Sequence, residues 1–473
     1  MKTKLYKEYI RKREKQQAKA VRKIEHFNGR ALLADQMRMG KTFIVLKYLV
    51  RNPKIRPALI ICPEIGKLHW EEKAKRHFNI RGVVLNGTTP PRKKSLYKYK
   101  SELYIINWEI IQYWEEFFRK LKLQFVGLDE CHYIKTLDTG KGRSREPVLR
   151  TRSALRIARK IPHIIAIGGT PNKNGRSIEL WPILHLLRPD KFKSIVEYRW
   201  RYCSPERKPW GWEYNGAAHT KELNRNLLAW CMIRRLRKDT YNEPPKDRRI
   251  ITLPITSYDE YHEAEDNFIK WLSKKSISKA KKAKKAERLV QFGYLIRLAA
   301  QLKMPYVIHW INNWLRKHKG KLAIGAIHQE LIKTLNEEYH NISVTIDGKV
   351  RGKKRKLAQD TFQKNNKYRL IIGQIKAAGT VIELSKAKIV VTIELPWTPG
   401  DIEQWEDRIY KQFSQKSLRS YFLVAENTIE EDLCKILQKK QEKLSATLDG
   451  KKKINRLDIY NELQKALLKK KEK

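Results

Sequence analysis

The 473-residue sequence predicts an α/β protein built on two parallel sheets, each flanked by helices, with additional helical protrusions. Three observations predict it. Short β-branched or apolar runs alternate with longer helical patterns, the signature of a parallel sheet covered on both faces. The runs fall into two groups that meet near residues 242–246, where Pro244 and Pro245 stop a helix before the strand 250–253. The length suits two or three domains at about 100–200 residues each.

In the first group, strands are expected at 31–33, 58–61, 104–106, 125–128 and 164–167. In the second they are expected at 322–327, 344–346, 370–372, 389–393 and 421–424. Residues 190–230 and 255–300 carry helical patterns rich in Trp, Arg and Lys, and the tail 435–473 is helical and basic. The run 274–285 holds seven lysines, read equally well as a solvated helix face or a DNA contact.

Lys plus Arg number 102 against 50 Asp plus Glu, a net charge of +52 with a pI near 10.1. Such an excess implies a polyanionic partner, because clustered cations gain by releasing counterions from nucleic acid. The bland alternatives are a lysine-rich host composition or general solubility. No apolar run approaches the roughly 20 residues of a membrane span, and residues 1–15 lack the apolar core of a signal peptide. Cys62, Cys131, Cys203, Cys231 and Cys434 are scattered without a Cys-x-x-Cys pair, so neither a zinc site nor a disulfide framework is expected. An intracellular location follows: cytoplasm or nucleoid in a prokaryotic or viral setting, nucleus in a eukaryotic one.

The chemistry begins at Asp35-Gln36-Met37-Arg38-Met39-Gly40-Lys41-Thr42, between the apolar Ala31-Leu32-Leu33 and the helical Phe43-Ile44-Val45-Leu46. A strand, a loop ending Gly-Lys-Thr and a helix let backbone N–H groups and a helix N-terminus cradle phosphates. Lys41 would then reach the β and γ phosphates of ATP, and the Thr42 hydroxyl would hold Mg²⁺. The strand 125–128 runs into Asp129-Glu130-Cys131-His132. Asp129, at a parallel strand's C-terminal end, is placed to bind Mg²⁺, and Glu130 to polarise the attacking water. A third strand ends in Gly168-Gly169-Thr170-Pro171.

This ordered set resembles the motor of superfamily-two helicases, specifically the Swi/Snf family of DNA translocases. Gln17 lies 12 residues before Gly29, at the place of that family's adenine-reading glutamine. Ile60-Ile61-Cys62-Pro63 followed by His69-Trp70-Glu71 resembles motif Ia, and Ile178-Glu179-Leu180-Trp181-Pro182 the segment after motif III. Ile346-Asp347-Gly348, Glu394-Leu395-Pro396-Trp397 and Gln404-Trp405-Glu406-Asp407-Arg408 resemble the later motifs in order. Arg201-Tyr202-Cys203, Pro209-Trp210-Gly211-Trp212-Glu213 and Met232-Ile233-Arg234-Arg235-Leu236-Arg237-Lys238-Asp239 look like the annealing-helicase (HARP-type) branch, whose members rewind and remodel branched DNA.

The resemblance implies two RecA-like lobes with helical protrusions: residues 1–241 as the ATP-binding lobe with a first protrusion, 242–304 as linker and second protrusion, 305–434 as the helicase lobe, and 435–473 as a basic brace. It implies a DNA-dependent ATPase that tracks duplex or branched DNA through its backbone, with little sequence preference; an unidentified protein partner is left open. Gln17, Met39, Gly40, Lys41, Thr42, Asp129, Gly379 and Arg408 would bind nucleotide, Thr42 and Asp129 the Mg²⁺, and Glu130 would orient water. Arg408, from the second lobe, would sense the γ-phosphate. The alternatives kept are a strand-separating helicase, a nucleoprotein remodeller and a DNA-binding scaffold with a weakened motor.

Some residues are read more plainly. Trp70 is expected in packing, since a duplex translocase tracks phosphates and has little need to stack on bases. Trp210 and Trp212 are left open between core and function, and Arg234 and Arg235 are expected on the second lobe or the DNA backbone, with an ordinary helix-surface role as the alternative. His132 would couple the nucleotide site to motif III. The chain also departs from the family pattern. Asp35 replaces the loop's first glycine and Gln36 a glutamate. Arg38 replaces a glycine and must follow the turn without glycine's freedom. Gly168, Val381, Glu383 and Lys411 replace a Thr or Ser, a Gly, a small polar residue and an Arg, and a lysine gives no bidentate fork.

Overall fold

Ala58–Cys62 and Leu103–Asn107 are buried at every position, and Phe125–Asp129 at all but its last. Strands of this kind are stable only inside a parallel sheet with helices on both faces. The computed structural model describes residues 2–90, 101–135, 149–208, 211–241, 246–266, 287–348, 350, 352–375, 384–409 and 418–449. The proline boundary, the lysine run, Trp210, Gly379, Val381, Glu383, Lys411 and the tail after Asp449 lie outside these residues.

The chain forms two compact units, Met1–Glu243 with Gln441–Ile454 and Pro244–Lys440 with Asn455–Lys473. The first holds strands β1 (Arg30–Leu33), β2 (Ala58–Cys62), β3 (Gly82–Val84), β4 (Leu103–Asn107), β5 (Phe125–Asp129) and β6 (His163–Ile167). Two short strands, β7 (Glu206–Lys208) and β8 (Gly211–Glu213), form an antiparallel hairpin, and β9 is Met232–Ile233. The seven-stranded sheet runs β3-β4-β2-β5-β6-β1-β9 with every neighbouring pair parallel. Its centre, β5-β6-β1, is where the three motif-bearing strands lie side by side.

In the second unit β10 (Asp247–Leu253), β11 (Lys321–Ala326), β12 (Ser343–Ile346), β13 (Leu370–Gln374), β14 (Ala387–Thr392) and β15 (Arg419–Ala425) form a parallel sheet ordered β10-β15-β14-β11-β13-β12. Buried Glu394 accepts from the backbone N–H groups of Ile327 and His328 at 2.6 and 2.8 Å. It thereby ties the end of β14 to the start of the helix Gln329–Glu338. Each predicted strand is present. The hairpin β7–β8 interrupts the stretch 190–230 expected to be helical; its charged, aromatic residues give no apolar alternation to reveal it. Among the described residues no helix is long and apolar enough to cross a membrane. All five cysteines are free and buried.

Candidate active site

β1 ends in a loop whose backbone is bent by two left-handed residues, Arg38 at φ 65° and Gly40 at φ 83°. The helix Lys41–Arg51 starts directly after it, with Gly40 as N-cap and no side-chain cap on its first N–H groups. Orphan amides at a helix start are the donors that phosphates accept from. Arg38 therefore adopts the turn that the family gives to glycine, and strain of about 1–2 kcal/mol accompanies it.

The departure at Asp35 has a structural reason. Its carboxylate is fully buried and held by Arg235: the backbone N–H donates to Oδ1 at 2.9 Å, Nε to Oδ1 at 3.0 Å, and Nη2 to Oδ2. Arg234 Nη1 donates to the carbonyls of Ala34 and Gly169, the latter at 2.8 Å, and its Nε pairs with Asp449 at 2.8 Å. The expectation that this arginine pair reaches the second lobe or DNA is thus corrected. Both guanidiniums fasten the loop after β1 inside the first unit, because the strand β9 that precedes them pairs directly with β1.

Lys41 Nζ donates to the carbonyls of Asp35 at 2.9 Å and Gln36 at 3.4 Å. Burial lowers its pKa, while Glu130, Asp35 and Asp129 pull in the opposite direction. Gln17 is buried against the loop: a Cβ on Gly40 would lie 2.5 Å from its Nε2, and its Oε1 accepts from Lys47 at 2.8 Å. Met39 is buried and Thr42 half-buried at the helix start.

β5 delivers Asp129 level with Ile167 of β6. Burial and then the neighbouring Glu130 push the Asp129 carboxyl up to about 6, and the Trp70 hydrogen bond holds it down. That bond runs from Trp70 Nε1 to Oδ2 at 2.9 Å; Trp108 Nε1 donates to the Asp129 carbonyl, also at 2.9 Å. Burial also acts on Glu130, but His132 and Lys41 outweigh it and bring the carboxyl to about 2. His132 Nδ1 lies 3.3 Å from Glu130 Oε2, and neither atom has a well-aligned hydrogen bond. Gly169 closes the site from β6: a Cβ there would meet Met37 Cγ at 3.2 Å. The site therefore contains a cation at a helix start, one tightly positioned carboxylate and a second carboxylate with an unsatisfied oxygen. This donor set fits a nucleotide polyphosphate with a divalent cation.

The SNF2-related domain model matches residues 10–307, and the helicase conserved C-terminal domain model matches residues 305–412. The chain belongs to the SNF2-related family. Helicase-like ATPase domain models thus match both halves, and Lys41, Asp129, Glu130 and Gly169 lie within the span of the SNF2-related domain. A relative from Xenopus tropicalis, the SWI/SNF-related matrix-associated actin-dependent regulator of chromatin subfamily A-like protein 1, is 27% identical over 417 residues, covering 87% of this chain and 42% of the relative. The human DNA annealing helicase and endonuclease ZRANB3 is 28% identical over 440 residues, covering 90% and 39%. The chain spans about two fifths of the length of these relatives. The SWI2/SNF2 ATPase core of Sulfolobus solfataricus in complex with dsDNA aligns over 96% of this chain and 95% of its own, at 19% identity and a TM-score of 0.41.

Lys41, Thr42, Met39, Gly40, Gln17, Asp129 and Glu130 all belong to the first unit. Arg408 lies in the last turn of the helix Pro399–Ile409 of the second, where its Nε donates to the Gln404 carbonyl at 3.2 Å. Its neighbours Glu406 and Asp407 pair with Lys246 at 2.8 and 2.9 Å, anchoring that helix to the start of β10. Sequence reasoning missed Trp70, Trp108, Arg234 and Arg235 as supports of the site. Trp70, Arg234 and Arg235 each stood in a motif-like stretch, but their partners depend on strand order, since β2 lies beside β5 and β9 beside β1.

Proposed function

We propose that the protein is an ATP- and Mg²⁺-dependent translocase on double-stranded DNA that remodels or anneals branched DNA. The observation that carries this reading is the convergence of Lys41, Asp129, Glu130 and Gly169 at the C-terminal ends of the adjacent parallel strands β1, β5 and β6, in a chain of the SNF2-related family. Lys41 and the first amides of its helix bind the β and γ phosphates, and Gln17 reads the adenine edge. Thr42 and Asp129 would hold Mg²⁺, which when bound would supply charge neutralisation to the phosphates. Glu130, ionised at neutral pH, orients the attacking water and accepts its proton. Arg408 and Gly379 are assigned to the nucleotide by motif resemblance.

The names of the two relatives, an annealing helicase and a chromatin regulator, support DNA as the polymer, as does the charge of +52. The deciding experiment measures steady-state ATP hydrolysis without DNA and with single strand, duplex and forked DNA. Duplex or forked DNA should stimulate it, Lys41→Ala should lose nucleotide binding, and Glu130→Gln should bind ATP without turning it over. Wild-type rates in both variants, or no hydrolysis by the wild type on any DNA, refute the reading. Robust unwinding of a plain tailed duplex would instead favour a strand-separating helicase.

A further inference from the structure

We propose that Trp200, Trp212 and Arg207 form a stacking platform for unpaired nucleotides, which deepens the proposed action on branched DNA and rests on it. The helix Ile195–Tyr202 buries Tyr198 and Tyr202 in the first unit's core, and the Tyr198 hydroxyl donates to the Ser177 carbonyl at 2.8 Å. That orientation turns Val196 and Trp200, one helical turn apart, outward to 57% and 50% exposure. The Trp200 ring meets Trp212 edge-on at 4.9 Å, and Trp212 is itself 48% exposed. A cluster of exposed large apolar side chains, unlike a single one, marks a binding surface.

The hairpin decides what accompanies these rings. Trp212 stands opposite Arg207 in the β7–β8 register, and opposed residues share a face. Glu206 and Glu213 form the adjacent pair, which points the other way. Glu213 is also held there by Asn215 Nδ2 at 2.7 Å. Two indoles are thus presented with an exposed guanidinium, while the hairpin's carboxylates face away. Aromatic rings beside cations bind single-stranded nucleic acid by stacking on any base, and the strongly basic chain favours a polyanion over a protein as occupant. Paired bases keep their faces inside the duplex, so the occupant is an unpaired base at a junction or gap.

The test measures binding of the full chain, without nucleotide, to an oligo-dT strand, a fork with unpaired arms and a blunt duplex, by fluorescence anisotropy. Trp200→Ala/Trp212→Ala should weaken the oligonucleotide and fork about fivefold to a hundredfold, the worth of one stacked base, and the blunt duplex less than twofold. Trp212→Phe, which keeps a flat ring, should retain most of the binding, and Arg207→Glu should weaken the oligonucleotide. Equal losses on all three DNAs refute the platform. Unchanged binding on all three, in a variant with native circular dichroism, also refutes it and assigns the face to a protein. If the double variant does not fold, the two single variants decide in the same way. Because no hydrolysis is read, failure of the ATPase reading remains separable from failure of this one.

Discussion

Trp70→Phe should cripple the motor while leaving the fold nearly intact. Trp70 sits on the helix Gly66–Phe78, is 1% exposed and donates to Asp129 Oδ2 at 2.9 Å. The other carboxylate oxygen accepts from the neighbouring Glu130 N–H at 3.0 Å, so among the described residues the indole supplies the one side-chain donor on this carboxylate. Phenylalanine keeps most of the buried ring and removes the donor. A hydrogen bond to a charged group is worth about 1.5–3 kcal/mol, and loss of a partner that orients a metal-ligating carboxylate costs about 10–100-fold in metal affinity or activity. The two agree, since about 1.4 kcal/mol is tenfold. The assay is DNA-stimulated hydrolysis at saturating ATP across a Mg²⁺ titration: the half-saturating Mg²⁺ should rise, and turnover should fall within that range. Trp114→Phe is the control. It removes an equally buried indole donor, here to the Gly87 carbonyl at 2.9 Å, away from the site, and should lower stability without moving the Mg²⁺ midpoint. A wild-type Mg²⁺ dependence in Trp70→Phe refutes the reasoning and returns Trp70 to packing alone.

Arg38→Gly should stabilise the protein by about 0.5–1 kcal/mol, the relief of a left-handed side chain less glycine's extra unfolded-state entropy; a lower denaturation midpoint would overturn this. Glu430→Gln should cost about 3–5 kcal/mol of stability, because it leaves the fully buried Lys303 ammonium, now 2.6 and 2.7 Å from the two carboxylate oxygens, without its counter-charge. The double change Lys303→Met/Glu430→Leu should regain most of that in a thermal melt, and a single-variant loss under about 1 kcal/mol would rule the account out. DNA affinity should fall with salt at about 0.9 log units per log unit for each phosphate contacted; a flat response would show that the +52 charge serves another end.

The sheets were legible in the sequence because parallel strands buried on both faces must be apolar, as in Ala58–Cys62 and residues 125–128. The loop before the helix Lys41–Arg51 was legible for a related reason: Gly40, Lys41 and Thr42 are adjacent in sequence and the helix follows at once. Tertiary structure alone decided the supports. Asp35 replaces a loop glycine, and its reason is Arg235, 200 residues away, whose guanidinium holds it. Trp70 and Asp129 are 59 positions apart and meet because β2, which leads into the Trp70 helix, lies beside β5. Likewise, nothing local separates an exposed Trp212 from a buried Trp405. Periodicity reports which side of an element is apolar, whereas a polar pairing across the fold depends on strand order, which no local pattern encodes.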